Sequence, residues 1–143
     1  MTQLAKKRPE FRNIHAFKDL PSYRWPLAAL VSGMHRISGL ILFLLLPFII
    51  WLFDKSVSSE ISFGSFTAAF TTGIGFVPAW FVKLVVLALI WSYLHHLAAG
   101  VRHLVLDVTH KTTKDFGRHS AAATLVFSIM LTVILGAKLF GLY

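Results

Sequence analysis

Three long apolar runs stand out in the hydrophobic pattern of the chain, and polar or mixed segments separate them. The runs extend from about Leu27 to Phe53, from about Phe76 to Leu106 and from about Ala121 to Leu142. Each run is near or above the roughly 20 residues that an α-helix needs to span a bilayer. The pattern therefore predicts an all-α membrane protein, in which residues 1–143 form a single integral membrane domain with three transmembrane helices.

Two places in this pattern are less regular. Pro47 lies inside the first run, where it is expected to kink the helix without breaking it, because membrane helices tolerate proline. The segment from Ser56 to Gly75 is mixed, and its Phe63, Phe66 and Phe70 recur at helical spacing. A short helix lying at the membrane interface and an irregular loop are both compatible with this segment.

The composition of the chain agrees with a membrane protein. Hydrophobic residues make up 56% and charged residues 14% of its 143 residues, and the mean hydropathy is +0.69. A soluble domain usually contains about 45–50% apolar and about 25% charged residues. The chain has no cysteine, which excludes disulfides, thiolate metal sites and iron–sulfur ligation by this chain.

Basic residues lie mainly on one side of the predicted topology. The loop between the first two runs offers only Lys55. The N-terminal segment and the second loop contain Lys6, Lys7, Arg8, Arg12, Lys18, Arg24, Lys111, Lys114 and Arg118. The positive-inside rule therefore predicts that the N-terminus and the second loop face the cytoplasm, or the matrix in an organelle. Basic flanks of this kind also explain the net charge of +8 and the pI of about 10.2, so we expect no nucleic-acid partner.

The first run carries polar residues where lipid is expected, in the stretch VSGMHRISG. Ser32 and Arg36 are four positions apart and share a helix face, and His35 lies about 100° round from Arg36. If the span begins near Leu27, Arg36 lies about 14 Å deep. A charge at mid-bilayer costs about 2.5–3.5 kcal/mol on insertion scales, so such a residue usually faces a protein interior or a cofactor.

The second run ends in the stretch HHLAAGVRHLVLD. His96, Gly100 and His103 fall at i, i+4 and i+7 and therefore share one helix face. His96 lies roughly 15 Å from the inner surface, about the depth of Arg36 on the antiparallel first span, so the two can meet in one pocket. His95 points about 100° away from His96 and is expected to form an interhelical hydrogen bond rather than to act as a ligand.

Residue chemistry alone leaves several interpretations of these polar positions open. His96, with space beside it at Gly100, can ligate haem iron, take part in a proton relay or hydrogen-bond between packed helices. Arg102, His103 and Asp107 lie at the membrane boundary, where they can anchor the helix end or belong to a site. Small residues are expected wherever membrane helices pack closely, and the first run contains Ser32, Gly33, Ser38 and Gly39.

Two sequence blocks carry a resemblance to a known family. The block S-x-x-H-R-x-[ST]-G begins at Ser32 in the first run, and H-x-x-x-G-x-R-H-x-x-x-D extends from His96 to Asp107 in the second. In this order, on the first two of three spans, they resemble the cytochrome b556 family of succinate dehydrogenase membrane anchors. Arg8-Pro9, before the basic lead-in to the first span, is also similar.

The resemblance implies how a haem would be held. In this family the histidine at the position of His96 is an axial ligand of one haem b, and a partner anchor subunit supplies the other axial histidine. His35 and Arg36 match positions near the haem propionates. The doubled His95-His96 departs from the family pattern, but the offset to Gly100 favours His96 as the ligand of the iron.

The resemblance also implies quinone binding and a multisubunit complex. Ser32 and Arg36 match the family's quinone-binding serine and arginine, with ubiquinone or menaquinone as the substrate. The implied complex is a succinate:quinone oxidoreductase, in which a flavoprotein subunit and an iron–sulfur subunit supply electrons. The isolated chain is therefore not expected to be an enzyme. The short lead-in has no Arg/Ser-rich transit segment, which favours a bacterial plasma membrane over the alternative, a mitochondrial inner membrane. The family roles at Arg102, His103 and Asp107 are less defined.

Two other classes of function are compatible with the polar residues of the spans. A small proton- or ion-conducting membrane protein would use His96, His103, Arg36 and Asp107 as a relay. A purely structural anchor would use the same residues for hydrogen bonds between helices. A haem absorption spectrum distinguishes the anchor of an electron-transfer complex from both.

Overall fold

The computed structural model describes residues 13–143, so Arg8-Pro9 and the basic residues Lys6, Lys7 and Arg12 lie outside the described residues. The described chain forms six helices and one two-stranded hairpin. In order they are α1 (Ala16–Ser22), α2 (Leu27–Leu44), α3 (Leu46–Val57), α4 (Glu60–Thr71), β1 (Gly73–Ile74), β2 (Val77–Pro78), α5 (Ala79–Thr109) and α6 (Lys114–Leu139). Among them α2, α5 and α6 are long and apolar enough to cross a membrane. The prediction of three transmembrane helices is confirmed.

The first predicted span differs from expectation because it is divided at Leu45. This residue leaves the helical region, with φ −93° and ψ 6°, and separates α2 from α3. Pro47 has no N–H to donate to the Phe43 carbonyl, so one rung of the hydrogen-bond ladder is missing there. The backbone hydrogen bonds on both sides of the missing one are present: Leu45 N donates to Ile41 O and Ile49 N donates to Leu45 O, each at 3.0 Å.

The mixed segment after the first span contains a helix, which decides between the two predicted alternatives. Ser59 caps α4 by accepting the N–H of Ser62 at 3.1 Å, and the Ser62 hydroxyl oxygen in turn accepts the N–H of Ser59 at 2.9 Å. The aromatic rings at helical spacing contact one another along α4: Phe66 stacks on Phe63 with centroids 5.7 Å apart and meets Phe70 edge to face at 5.2 Å. Local capping and aromatic contacts therefore hold this helix.

A tight hairpin turns the chain from α4 into α5. Gly73 pairs with Pro78, and Ile74 pairs with Val77. Gly73 has φ +109°, and a Cβ there would lie only 2.1 Å from the Val77 carbonyl oxygen. Only glycine fits this turn, because it alone combines the positive φ with the close backbone approach.

The second and third predicted spans are shifted at their ends. The second helix begins after Pro78 and extends beyond Leu106 to Thr109, where His110 ends it in the left-handed region at φ 52°. The third helix begins at Lys114 rather than near Ala121, because the Thr113 side chain caps it by accepting the N–H of Phe116 at 3.3 Å.

The long helix α5 packs against both α2 and α6, which also contact each other. Small residues permit the close approach, and Val31, Ala99 and Ala121 form a core that is 0% exposed. At Gly136 of α6, a Cβ would lie 2.7 Å from Cδ1 of Leu87. This packing places His95 and His96 of α5 at contacts with the neighbouring helices.

Candidate functional site

His96 of α5 faces α2 and is held there by a backbone carbonyl. Its Nδ1 lies 3.1 Å from the carbonyl oxygen of His35 and 3.3 Å from Oγ of Ser38. The Ser38 hydroxyl itself donates to the same carbonyl at 2.8 Å. Because a carbonyl oxygen only accepts, Nδ1 of His96 carries the hydrogen and donates it. Nε2 is then left with a lone pair, and no group in residues 13–143 forms a hydrogen bond with it.

Glycine at position 39 makes room for the His96 ring. A Cβ on Gly39 would lie 2.9 Å from Cε1 and 3.2 Å from Nδ1 of His96. These distances are shorter than the about 3.5–4.0 Å of an ordinary carbon contact. The ring therefore lies directly on the backbone of α2, at the turn that follows His35.

Three imidazoles line the contact between α2 and α5. The His35 ring stacks on that of His96 with centroids 4.1 Å apart and 23° between the planes. The His103 ring also lies near His35, with the two ring centroids 5.3 Å apart. A Cβ on Gly100 would lie 3.7 Å from Nε2 of His35. The predicted common face of His96, Gly100 and His103 is therefore confirmed, and it faces α2.

The residue of α2 that contacts His96 directly is His35, whereas Arg36 lies outside this contact. Arg36 is exposed, and it forms no hydrogen bond or ion pair with the described residues. Ser32, one turn before it, is half-buried. Helix geometry explains the difference, because His35 and Arg36 leave α2 about 100° apart and only one of them can face α5.

At the inner end of α5, the boundary residues separate into different environments. Arg102 is buried, and it donates from Nε to Ser120 Oγ at 3.0 Å and from Nη2 to the Gly117 carbonyl at 3.4 Å. It therefore joins α5 to α6, which agrees with the anchoring interpretation. Asp107 is exposed and forms no ion pair within residues 13–143. Of this boundary group, only His103 lies on the His96 face.

His95 forms the interhelical contact that was predicted for it. The side chain is 0% exposed. Its Nδ1 lies 3.3 Å from Ser128 Oγ of α6, and its Nε2 lies 3.5 Å from the Val31 carbonyl of α2. The neighbouring histidines of α5 thus have separate surroundings, with His95 inside the three-helix core and His96 at the contact with α2.

Comparison with known proteins decides the family. Residues 6–135 match the model of the succinate dehydrogenase/fumarate reductase transmembrane subunit family. The chain belongs to this family. As a member, it is a multi-pass membrane subunit of a succinate dehydrogenase-type complex, and the resemblance seen in the two sequence blocks is confirmed.

Three relatives are similar in sequence to this chain over most of their length. The succinate dehydrogenase cytochrome b556 subunit of Coxiella burnetii is 33% identical over 118 residues, covering 82% of this chain and 90% of the relative. The subunit of the same name from Paracoccus denitrificans is 30% identical over 115 residues, covering 80% and 83%. That from Rickettsia prowazekii is 23% identical over 118 residues, covering 81% and 85%.

Sequence reasoning missed the parts that Ser38 and Gly39 play at this family site. Both were interpreted as small residues that let helices pack, whereas the structure places both against the His96 ring. The signal was present, since they form the last two positions of the block S-x-x-H-R-x-[ST]-G. The helical spacing of that block to His35 could have identified them as neighbours of a common group.

Proposed function

We propose that this chain holds one axial position of a haem b and takes part in quinone reduction within a succinate:quinone oxidoreductase. One observation carries the proposal most strongly. Nδ1 of His96 donates to the His35 carbonyl, so Nε2 presents its lone pair within the membrane span. Metal-binding histidines commonly use this arrangement, in which the second ring nitrogen donates to a carbonyl and orients the ligand.

The residues around His96 fit a haem. The stacked His35 ring covers one face of the His96 imidazole, whereas the lone pair of Nε2 lies in the plane of the His96 ring and so does not point at His35. Gly39 and Gly100 remove side-chain bulk on either side of the ring pair. When bound, the haem would supply a one-electron carrier whose potential depends on its axial ligands. The relatives from three bacteria carry the name cytochrome b556 subunit, which agrees with this cofactor.

The same geometry supports a second axial ligand from a partner anchor subunit. Two axial imidazoles must point at the iron from opposite sides of the macrocycle. His35 and His96 instead lie face to face with centroids 4.1 Å apart, which leaves no room for a macrocycle between them. His103 is on the same helix as His96 and shares its face. These contacts favour a ligand from another chain, and we place His35 beside the haem propionates rather than on the iron.

Arg36 and Ser32 supply the polar groups that a propionate or a quinone needs. The Arg36 side chain extends outward from α2, where it can reach a group held between this chain and a neighbour. A guanidinium offers a fixed positive charge and a fork of donors, which suit a propionate or a quinone oxygen as it gains negative charge. Ser32 lies one turn away on the same face and can donate its hydroxyl hydrogen to a quinone carbonyl.

The same proposal fixes the partners and the location. The other subunits would be a second membrane anchor, an iron–sulfur subunit and a flavoprotein subunit, and the substrate would be ubiquinone or menaquinone. The distribution of basic residues supports an N-terminus on the cytoplasmic side of a bacterial inner membrane. From that side, electrons would pass from the iron–sulfur subunit to a quinone near Ser32 and Arg36, which lie respectively in the half of α2 that begins at Leu27 and around its middle.

The haem assignment is tested by the absorption spectrum of the purified complex. Replacing the ligand in His96→Ala should remove or shift the reduced b-type band. His119→Ala, which changes an exposed histidine of α6, should leave it intact. An unchanged spectrum in His96→Ala would exclude this residue as the ligand. A wild-type complex without any haem band, but with ion flux in liposomes, would instead support a conducting protein.

The quinone assignment is tested by two activities of the same preparation. Ser32→Ala and Arg36→Leu should each impair quinone reduction, whereas succinate oxidation with an artificial acceptor should survive. Ile37→Ala is a matched control, since Ile37 is 54% exposed on the same helix and offers no polar group. An equal fall of both activities in an intact complex would contradict the assignment.

A further inference from the structure

His95 is buried among the three long helices, and the proposed function leaves it without a role. A carbonyl oxygen only accepts hydrogen bonds, so Nε2 of His95 carries the hydrogen and donates to the Val31 carbonyl at 3.5 Å. Nδ1 lies 3.3 Å from the Ser128 hydroxyl oxygen, and the single hydrogen of that hydroxyl is shared between Nδ1 and the Leu125 carbonyl, which lies 3.2 Å away. One imidazole thus bonds α5 to α2 and to α6 at the same level.

Consecutive histidines of α5 contact successive turns of α2. His95 donates to the carbonyl of Val31, and His96 donates to the carbonyl of His35, four residues further along. The carbonyl of Val31 is also the helical acceptor for the N–H of His35. The two contacts therefore lie on adjoining rungs of one hydrogen-bond ladder.

Two bonds of this kind determine the rotation of α5 as well as its distance from α2. The side chains of His95 and His96 leave α5 about 100° apart. A turn of α5 about its own axis would lengthen at least one of the two bonds. The rotation of α5 in turn sets the direction in which Nε2 of His96 points.

Neighbouring side chains pack closely around the His95 ring. Trp91, one turn earlier on α5, stacks on it with centroids 5.5 Å apart and 18° between the planes. Val31 and Ser128 are each 0% exposed, like His95 itself. Ser92 provides a contrast on the same helix, because its buried Oγ has no hydrogen-bond partner among the described residues.

We propose that His95 is a positioning residue, which orients the neighbouring His96 for haem ligation by bonding α5 to both other transmembrane helices. The inference rests on the proposed function, since it concerns the same haem. Groups that orient a metal-binding histidine typically change metal affinity about 10- to 100-fold when they are removed. The contribution of His95 should therefore be visible in how tightly and in what geometry the haem is held.

A set of four variants of the purified complex tests the role. His95→Phe keeps the ring and its stacking on Trp91 but removes both hydrogen bonds, whereas His95→Gln offers one donor and one acceptor in their place. Ser128→Ala removes the α6 side alone, and Ser92→Ala removes a buried hydroxyl without a partner. For each we would measure haem retention on dilution, the low-spin EPR signal of the oxidised haem and the thermal stability of the complex.

The expected ranking of the variants by haem retention and EPR signal distinguishes a positioning role of His95 from a general packing role. His95→Phe should retain haem measurably more weakly, by up to about tenfold because it acts through the helix rather than on the ligand directly, and should shift the EPR signal. Ser128→Ala should show a smaller change, Ser92→Ala none, and His95→Gln should restore the wild-type signal. Wild-type haem retention and an unchanged signal in folded His95→Phe would overturn the inference alone. The inference would also be overturned if His95→Phe lowered the thermal stability of the complex, left the EPR signal unchanged, and His95→Gln did not restore that stability. Absence of haem from the wild-type complex would overturn the proposed function as well.

Discussion

Replacing Gly39 with alanine should push His96 away from α2. The new Cβ would lie 2.9 Å from Cε1 and 3.2 Å from Nδ1 of the imidazole. Since carbon atoms are in favourable contact at about 3.5–4.0 Å, the ring must retreat by roughly 0.6 Å or more. That retreat would lengthen the bond from Nδ1 to the His35 carbonyl, which is now 3.1 Å.

The size of the effect follows from the packing. Forcing an extra methyl group into a close-packed site costs about 1–3 kcal/mol. A difference of about 1.4 kcal/mol is tenfold in an equilibrium constant, so the haem should bind roughly 5- to 150-fold more weakly. Gly33→Ala on the same helix is the matched control, because a Cβ there has nothing within 4 Å. In Gly33→Ala, alanine should stabilise α2 by about 0.5–1 kcal/mol relative to glycine.

The assay is the reduced b-type absorption per complex, followed through a dilution series and compared with the thermal stability of each complex. Gly39→Ala should lose haem at concentrations at which Gly33→Ala retains it. Wild-type haem retention in Gly39→Ala would refute the close approach of His96 to α2. An equal loss in both variants would show that α2 needs glycine in general, rather than at the contact with His96.

Three further changes test other contacts. Arg102→Leu removes the buried donors to Ser120 and Gly117 and should lower the melting temperature of the complex, whereas no change would show that these bonds contribute nothing. His110→Gly should raise it, because the left-handed conformation at φ 52° costs a non-glycine residue about 1–2 kcal/mol. Ser38→Ala leaves the Nδ1 bond to the His35 carbonyl in place, so haem should be retained; its loss would make the hydroxyl the main orienting group.

The amino-acid sequence by itself determined the membrane architecture of this protein. A transmembrane helix must satisfy its own backbone hydrogen bonds and expose apolar side chains, so its signature is local and lies in one continuous run. The spacing of His96, Gly100 and His103 likewise determined a common face, because helical periodicity is a local property. The family could also be inferred, since its two blocks lie within single helices.

Only the tertiary structure decided which residues of different helices meet. Sequence spacing placed Arg36 and His96 at a similar depth, but the rotation of α2 about its axis turns His35 toward α5 and leaves Arg36 exposed. That rotation depends on the packing of small side chains such as Ala99 against Val31, which no pattern within one helix specifies. For the same reason, the contact of Gly39 with His96 and the bonds of His95 to two other helices emerged only from the packed structure.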